Sequence, residues 1–286
     1  MSGVSLDIAA QGGEATSSRR FGPLNAFFVA WLLLMLAAAL FGPVLFGDQA
    51  MQQSLGTRLK PPGAAHWMGT DQVGRDIFAR VIVGARPTLV IALFGVLAGM
   101  LLGTVTGTLA GYFGGAVDRV CMALVDVKLA FPTILFAIGV IAVFGTSTTI
   151  LVIVVGLTGW VTYARVQRSV VLKVNAQTYI EASRAVGSSH LRVVCRHIIP
   201  NSLSPLLVVA SIDLVRVILL EASLSFLGLG IQPPTPSWGG MINSGRSYLE
   251  TAWWICVCPG LVIMMTALSI SRLGDWLRDV LDPDLS

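Results

Sequence analysis

The sequence predicts an all-α membrane protein with six transmembrane helices, on three observations. Hydrophobic residues make up 55% of the 286 positions and charged residues only 12%, about half the charge of an ordinary soluble domain. Most of the surface is therefore built for hydrocarbon. A helix is the only open-chain form that satisfies every backbone polar group in lipid, and crossing about 30 Å takes roughly 20 mainly apolar residues. Six stretches qualify: Ala26 to Phe46, Thr88 to Phe113, Cys121 to Phe144, Thr149 to Val166, Ser202 to Leu229 and Trp253 to Ile270. Finally, lysine and arginine are shared unevenly between alternate connections. With a cytoplasmic amino terminus, the inner segments hold Arg19, Arg20, Arg119, Arg165, Arg168, Lys173, Arg184, Arg192, Arg196, Arg272 and Arg278, and the outer ones Arg58, Lys60, Arg75, Arg80, Arg86 and Arg246. Both termini are expected in the cytoplasm.

Taken in order, residues 1–25 form a cytoplasmic tail and residues 26–46 the first helix. Ser18, Arg19 and Arg20 before that helix, with Ala37 to Ala39 inside it, mimic an export signal. The apolar run is longer than the roughly 7 to 15 residues of a signal core, so an uncleaved helix is expected. Residues 47–87 form an extracytoplasmic segment, in which Thr70 or Asp71 caps a surface helix with Asp76 and Arg80 one turn apart. Residues 88–271 form the core, with five helices and a cytoplasmic loop at 167–201, and residues 272–286 form a cytoplasmic tail. Trp238, Trp253 and Trp254 are expected at the membrane interface, where amphipathic rings settle.

Two spans carry more than greasiness. In the second, Gly95, Gly99, Gly103, Gly107 and Gly111 recur every fourth residue, which leaves a groove for close approach of another helix. In the fifth, Asp213, Arg216 and Glu221 each cost about 2.5 to 3.5 kcal/mol near a bilayer centre, against about 0.3 to 0.6 returned by each of roughly sixteen Leu, Ile, Val and Phe residues. The balance is near zero, so this helix does not face lipid all round. Asp213 and Arg216, three apart, can pair along one face; Asp126 and Lys128 in the third span offer a second pair. Two roles are open for these charges, mutual neutralisation inside the bundle and contact with a water-filled pathway.

The segment from Tyr179 to Asn201 is polar and basic between two apolar runs. Good helix formers from Tyr179 to Val186 end at Gly187, suited to a left-handed cap; Ser188 or Ser189 can then cap a second helix from His190 to Ile198, and Pro200 stops it or starts the next span. Ala182, Ala185 and Val186 make a small apolar face with Glu181 and Arg184 beside it. Such a face suits either anionic lipid or a soluble partner.

Other chemistries find no support. Cys121, Cys195, Cys256 and Cys258 have neither zinc-site nor disulfide-framework spacing, and His66, His190 and His197 are dispersed, so no metal site is expected. No glycine-rich loop carries Lys60, Lys128 or Lys173, and Gly-x-Ser-x-Gly and His-Glu-x-x-His are absent. No catalytic residue is expected, and the scattered basic residues do not make a nucleic-acid surface.

The loop resembles the EAA signature of ATP-binding-cassette importer permeases: Glu-Ala-Ala, three residues, Gly, nine residues, Ile-x-Leu-Pro. Glu181, Ala182, Gly187 and Pro200 match, with Ser183 for the second Ala, His197 for Ile and Ile199 for Leu. "RHIIPN" is similar to the "RHILPN" of the peptide branch. "GTDQVGRDIFARVIVGAR" (Gly69 to Arg86), "LLEASLSFLGLGIQPPTPSWGGMI" (Leu219 to Ile242) and "GDWLRDVLDP" (Gly274 to Pro283) resemble C-type permease subunits of dipeptide and oligopeptide importers, although Ser271 and Arg272 depart from that branch.

The resemblance implies a type I importer permease fold in the bacterial inner membrane. It implies transport of dipeptides or oligopeptides through a path shared with a homologous second permease. It also implies two cytoplasmic ATPases, which hold ATP and magnesium in place of this chain, and an extracytoplasmic binding protein. The loop becomes the coupling helix, with Tyr179, Glu181, Ala182, Ser183, Arg184, Ala185, Gly187, His197 and Pro200 facing the ATPase. The docking face for the binding protein is assigned to Asp71, Arg75, Asp76, Arg80 and Trp238, with the loop from Gln232 to Tyr248. Asp126, Lys128, Asp213, Arg216 and Glu221 are the pathway or buried-charge residues, with helices two to five around the path. A nickel importer of the same family and a self-contained channel or carrier are the alternatives; inverted halves typical of carriers are not evident.

Overall fold

The structure, a computed structural model, describes residues 22–281. The amino-terminal tail with Ser18, Arg19 and Arg20, and the chain after Leu281 with Pro283 of the tail motif, lie outside the described residues. Helices account for nearly all of the rest: α1 (Pro23–Met51), α2 (Ile77–Phe113), α3 (Gly115–Ala130), α4 (Thr133–Phe144), α5 (Thr148–Asn175), α6 (Thr178–Ala185), α7 (His190–Val193), α8 (Ile199–Phe226), α9 (Trp238–Gly245) and α10 (Trp254–Leu281). Five stretches are long and apolar enough to cross a membrane, or six if the bent pair α3 and α4 counts as one. One end of the bundle, here called basal, carries the turn around Gly187; the opposite, apical end carries α9.

The parallel pair α2 and α5 forms the centre, with α1 and α8 against α2, and α10 against α8, α9 and α1. The glycine stripe explains the central contact. A Cβ on Gly95 would lie 2.9 Å from Val155 Cβ, one on Gly103 2.8 Å from Ala164 N, one on Gly107 2.7 Å from Gln167 Cβ and one on Gly111 2.8 Å from Val171 Cβ; at Gly99 the Gly156 carbonyl oxygen is 3.2 Å away. Backbone meets backbone along four turns, as dispersion-driven helix packing in lipid requires. Within that contact Gln167 Nε2 donates to Thr108 Oγ1 at 2.9 Å.

Several elements differ from the sequence expectation. The third span is two helices bent by 90°. Phe131 is extended (φ −96°, ψ 126°) because the ring of Pro132 clashes with a helical preceding residue and supplies no N–H. α4 has 12 residues, about 18 Å of helix, too short to cross alone. The second helix begins at Ile77, well before Thr88, and its cap is Asp76, whose side chain accepts from Ala79 N at 2.9 Å. Thr70 and Asp71 instead hold the preceding turn, so the separate surface helix is the first turns of α2. The fifth helix starts at His190: a π-helical turn, Val194–Ile198, joins α7 to α8 without a break. Pro200 directly follows the π-helical turn, whose wider ring leaves room for a proline and its missing N–H, and therefore does not stop the helix.

Candidate translocation and coupling site

At the basal end the predicted two-helix turn is present. α6 ends with Val186 N donating to the Ala182 carbonyl, Gly187 N to that of Arg184 and Ser188 N to that of Ser183, while Gly187 takes φ +86°, a conformation that favours glycine. Ser189 caps the next helix by accepting from Arg192 N at 3.4 Å. One side of this turn is fixed inside: Ile180, Val193 and Ile198, each 0% exposed, form a small core with Tyr112, Val171 and Val174 from the ends of α2 and α5. Tyr112 hydroxyl and His190 Nδ1 are 2.9 Å apart. The Arg184 guanidinium lies 5.1 Å from the Tyr112 ring centre and donates to Asn175 Oδ1 at 2.5 Å.

The other side is bare. Tyr179, Glu181, Ala182, Ala185 and Gly187 are exposed, Val186 is 88% and Leu191 73% exposed. Ser183 is half-buried, and His197 stacks obliquely on Tyr179 at 5.7 Å between ring centres. Pro200 is exposed at the start of α8. Arg184 is the one member of the predicted set that the contacts assign to anchoring as much as to display.

Midway along the bundle, Asp213 and Arg216 pair as their spacing suggests, with Arg216 Nε 2.6 Å from Asp213 Oδ1. The other carboxylate oxygen accepts from the Tyr163 hydroxyl at 3.0 Å. Gly159 of α5 makes room for the pair: a Cβ there would lie 2.8 Å from Arg216 Nη2 and 3.0 Å from Asp213 Oδ2. Tyr163 and Gly159 carry no sequence signal of this role, since both read as ordinary span residues. The second predicted pair does not form. Asp126 and Lys128 are two positions apart and point to opposite sides of α3; Asp126 instead meets Arg165 of α5 at 3.1 Å. Lys128 lies 5.7 Å from the Phe136 ring centre, makes no ion pair among the described residues and has Arg216 as its charged neighbour. Toward the apical end Glu221, 1% exposed, accepts from Ser225 Oγ at 2.7 Å. Ser225 in turn contacts Ser237 at 3.4 Å, and Ser237 caps α9 by accepting from Gly240 N at 3.1 Å.

The predicted docking residues are mostly internal. Asp71 Oδ1 accepts from Val73 N and Arg75 N, both at 2.9 Å, and its Oδ2 takes Arg75 Nε at 2.6 Å. Arg80 Nη1 donates to the Ala50 carbonyl at 3.2 Å, fastening α2 to the end of α1. Asp76 Oδ2 faces His66 Nδ1 at 2.8 Å. Trp238 is 0% exposed and donates to the Val81 carbonyl at 2.9 Å; Trp254 donates to that of Thr70 at 3.1 Å. Asp71, Asp76, Arg80 and Trp238 are thus scaffold and not contact surface, because an indole or guanidinium whose donors end on backbone carbonyls has been folded inward. For the same reason Trp238 and Trp254 are not interface anchors; Trp253, 52% exposed, retains that place. The exposed apical surface comes from Gln232 to Thr235 and from Arg58 and Lys60.

Comparison with known proteins places this geometry. Residues 99–286 match the family model described as binding-protein-dependent transport system inner membrane component. The chain is 37% identical over 261 residues to the probable D,D-dipeptide transport system permease protein DdpC of Escherichia coli K12, covering 91% of this chain and 88% of that one. It is 42% identical over 256 residues to the glutathione transport system permease protein GsiD of Pectobacterium atrosepticum, covering 89% and 85%, and 38% identical to the dipeptide transport system permease protein DppC of Alkalihalophilus pseudofirmus, covering 86% and 81%. Among solved structures, the inward-facing methionine ABC transporter MetNI shares the fold at TM-score 0.56 with 20% identity, over 72% of this chain and 98% of that one. With an all-helical bundle of membrane-spanning length and matches over most of its sequence, the chain belongs to the family of inner membrane components of binding-protein-dependent transport systems, as a multi-pass protein of the bacterial inner membrane.

Proposed function

We propose that this protein is a permease subunit of an ATP-driven peptide importer, that its basal end is cytoplasmic, and that the turn from Tyr179 to Asn201 is seated in a partner ATPase. The observation that carries the coupling role is the two-sidedness of that turn. Its inner side is locked to α2 and α5 by a buried core and the Tyr112–His190 contact, while its outer side exposes Val186 and Leu191. A rigid element with a bare apolar tip needs a partner. Because α7, the π turn and α8 are continuous from His190 to Phe226, about 55 Å of helix, displacement of the tip re-angles a rod that passes the Asp213–Arg216 pair and reaches Glu221 and α9.

The lysine and arginine asymmetry supports cytoplasmic termini. The names of relatives from separate organisms favour peptide over nickel as cargo. ATP and magnesium belong to two ATPase subunits, a homologous second permease completes the path, and an extracytoplasmic binding protein delivers cargo to the apical surface around Gln232 to Thr235. The test is purification of the native assembly followed by an ATPase assay with binding protein and peptide. Recovery of two ATPases and a second permease, with stimulation by peptide, is expected; stimulation by nickel alone overturns the cargo assignment.

A further inference from the structure

Charges at the middle of the bundle do not balance. Three cations, Lys128, Arg165 and Arg216, occupy the region where α3, α5 and α8 approach one another, with two carboxylates. Arg165 takes Asp126 at 3.1 Å and Arg216 takes Asp213 at 2.6 Å. Asp213 is fully committed, since its second oxygen holds the Tyr163 hydroxyl at 3.0 Å. Glu221 gives one oxygen to Ser225, holds the other buried without a hydrogen bond among the described residues, and stands eight positions beyond Asp213 along α8, about 12 Å away. Lys128 is left with an aromatic face at 5.7 Å and a second cation, Arg216, as its charged neighbour.

The depth of this lysine makes the imbalance matter. α3 and α4 together make one candidate span with the bend between them, so Lys128, in the last turn of α3, lies within the span and away from both of its ends. A half-buried ammonium at that depth, beside a guanidinium, is stable only in water or with an anion. The bend also leaves it accessible: Lys128 is in the last turn of α3, and the chain turns through 90° just beyond it. Discontinuous helices at mid-membrane are where transporters place cargo charges.

We infer that Lys128, backed by the Arg216–Asp213–Tyr163 cluster, is a way-station for the carboxylate of the cargo. This rests on the peptide reading above, because every unmodified peptide ends in a carboxylate whatever its side chains. An ammonium reads charge without demanding a fixed orientation, which suits a site that must accept many sequences and release them. Arg216 raises the local positive potential while remaining tied to Asp213, so the anion is attracted without a bidentate clamp that would trap it.

The complete transporter, in liposomes with its binding protein, distinguishes the possibilities. Uptake of a dipeptide is compared with uptake of the same dipeptide as its carboxyl-terminal amide, each at a concentration that saturates the binding protein, for the wild type, Lys128→Gln and Lys128→Arg. The expected result is an about tenfold or greater loss of dipeptide uptake in Lys128→Gln, retention of most uptake in Lys128→Arg, and an equally low amide uptake in wild type and Lys128→Gln. Equal proportional losses for dipeptide and amide, or unchanged dipeptide uptake in Lys128→Gln, overturn the inference. So does failure of Lys128→Gln to co-purify with the second permease, which would assign the lysine to an acidic group of that chain. A wild-type transporter that moves no peptide at all is a separate outcome and refutes the cargo reading itself.

Discussion

At the scale of single residues, the pair at Asp213 and Arg216 shows how much depends on company. Removing Arg216 leaves an 8% exposed carboxylate supported by the Tyr163 hydroxyl alone. Arg216→Ala is expected to lower stability by about 2 kcal/mol, a value reduced from the fully buried case because the arginine side chain is 41% exposed and partly screened. Asp213→Asn combined with Arg216→Gln is expected to lose less than Arg216→Ala alone. Thermal unfolding of the purified subunit in detergent measures both, and an equal loss in the two variants would contradict the pairing. At the basal end, Tyr112→Phe keeps the ring under Arg184 and deletes the hydroxyl facing His190. It is expected to cost about 1 kcal/mol and to speed backbone hydrogen exchange in the turn from Tyr179 to Ser189, with the apical end unchanged.

At the scale of elements, the glycine ladder of α2 was visible as a pattern, and close packing was its expected use. The pattern did not identify α5 as the helix that fills the groove. Gly103→Val and Gly107→Leu are expected to destabilise the bundle by more than about 2 kcal/mol, because each side chain would enter space occupied by backbone of α5; Gly114, with nothing near its Cβ position, takes no part in that contact. Loss of folded protein in membranes for the first two variants checks this. The bend between α3 and α4 was likewise latent in the chain: Pro132 was present, yet a hydropathy window from Cys121 to Phe144 averages over it. Apolarity measures what lipid tolerates and says nothing of direction, so one greasy stretch could be a span or a corner.

At the scale of the whole molecule, coupling is a property of the assembly. Gly187→Pro forces φ to about −65° where the turn needs a positive value, and Glu181→Lys reverses an exposed charge in the first turn of α6. Both are expected to lower ATP-dependent uptake about tenfold or more with ATPase activity retained and membrane insertion normal. Undiminished uptake by a correctly inserted variant would remove the turn from the coupling role.

Much of the architecture was legible before any coordinates. The apolar runs, the Lys and Arg distribution, the glycine period and the Gly187 cap each follow from rules acting within about twenty residues, the range over which helix formation and lipid transfer operate. Family resemblance was legible for the same reason, since its motifs are contiguous. The placement of Asp71, Arg80 and Trp238 was not. Polar and aromatic residues in an outer segment suggest a surface, and only the arrival of the Ala50 and Val81 carbonyls from other elements turned those donors inward.

The sequence by itself determined an inner-membrane helical bundle, the apolar core of each span and the shape of its basal turn, because these depend on local backbone chemistry and on solvation by lipid; where the helices begin, end and bend was not fixed by it. Tertiary structure alone decided which charge meets which: Asp126 with Arg165, Asp213 with Arg216 and Tyr163, and Lys128 with no carboxylate among the described residues. Those partners lie on different helices or turn on helical phase at a contact, and electrostatic pairing in a low-dielectric interior is settled by ångströms across space, which spacing along the chain does not encode.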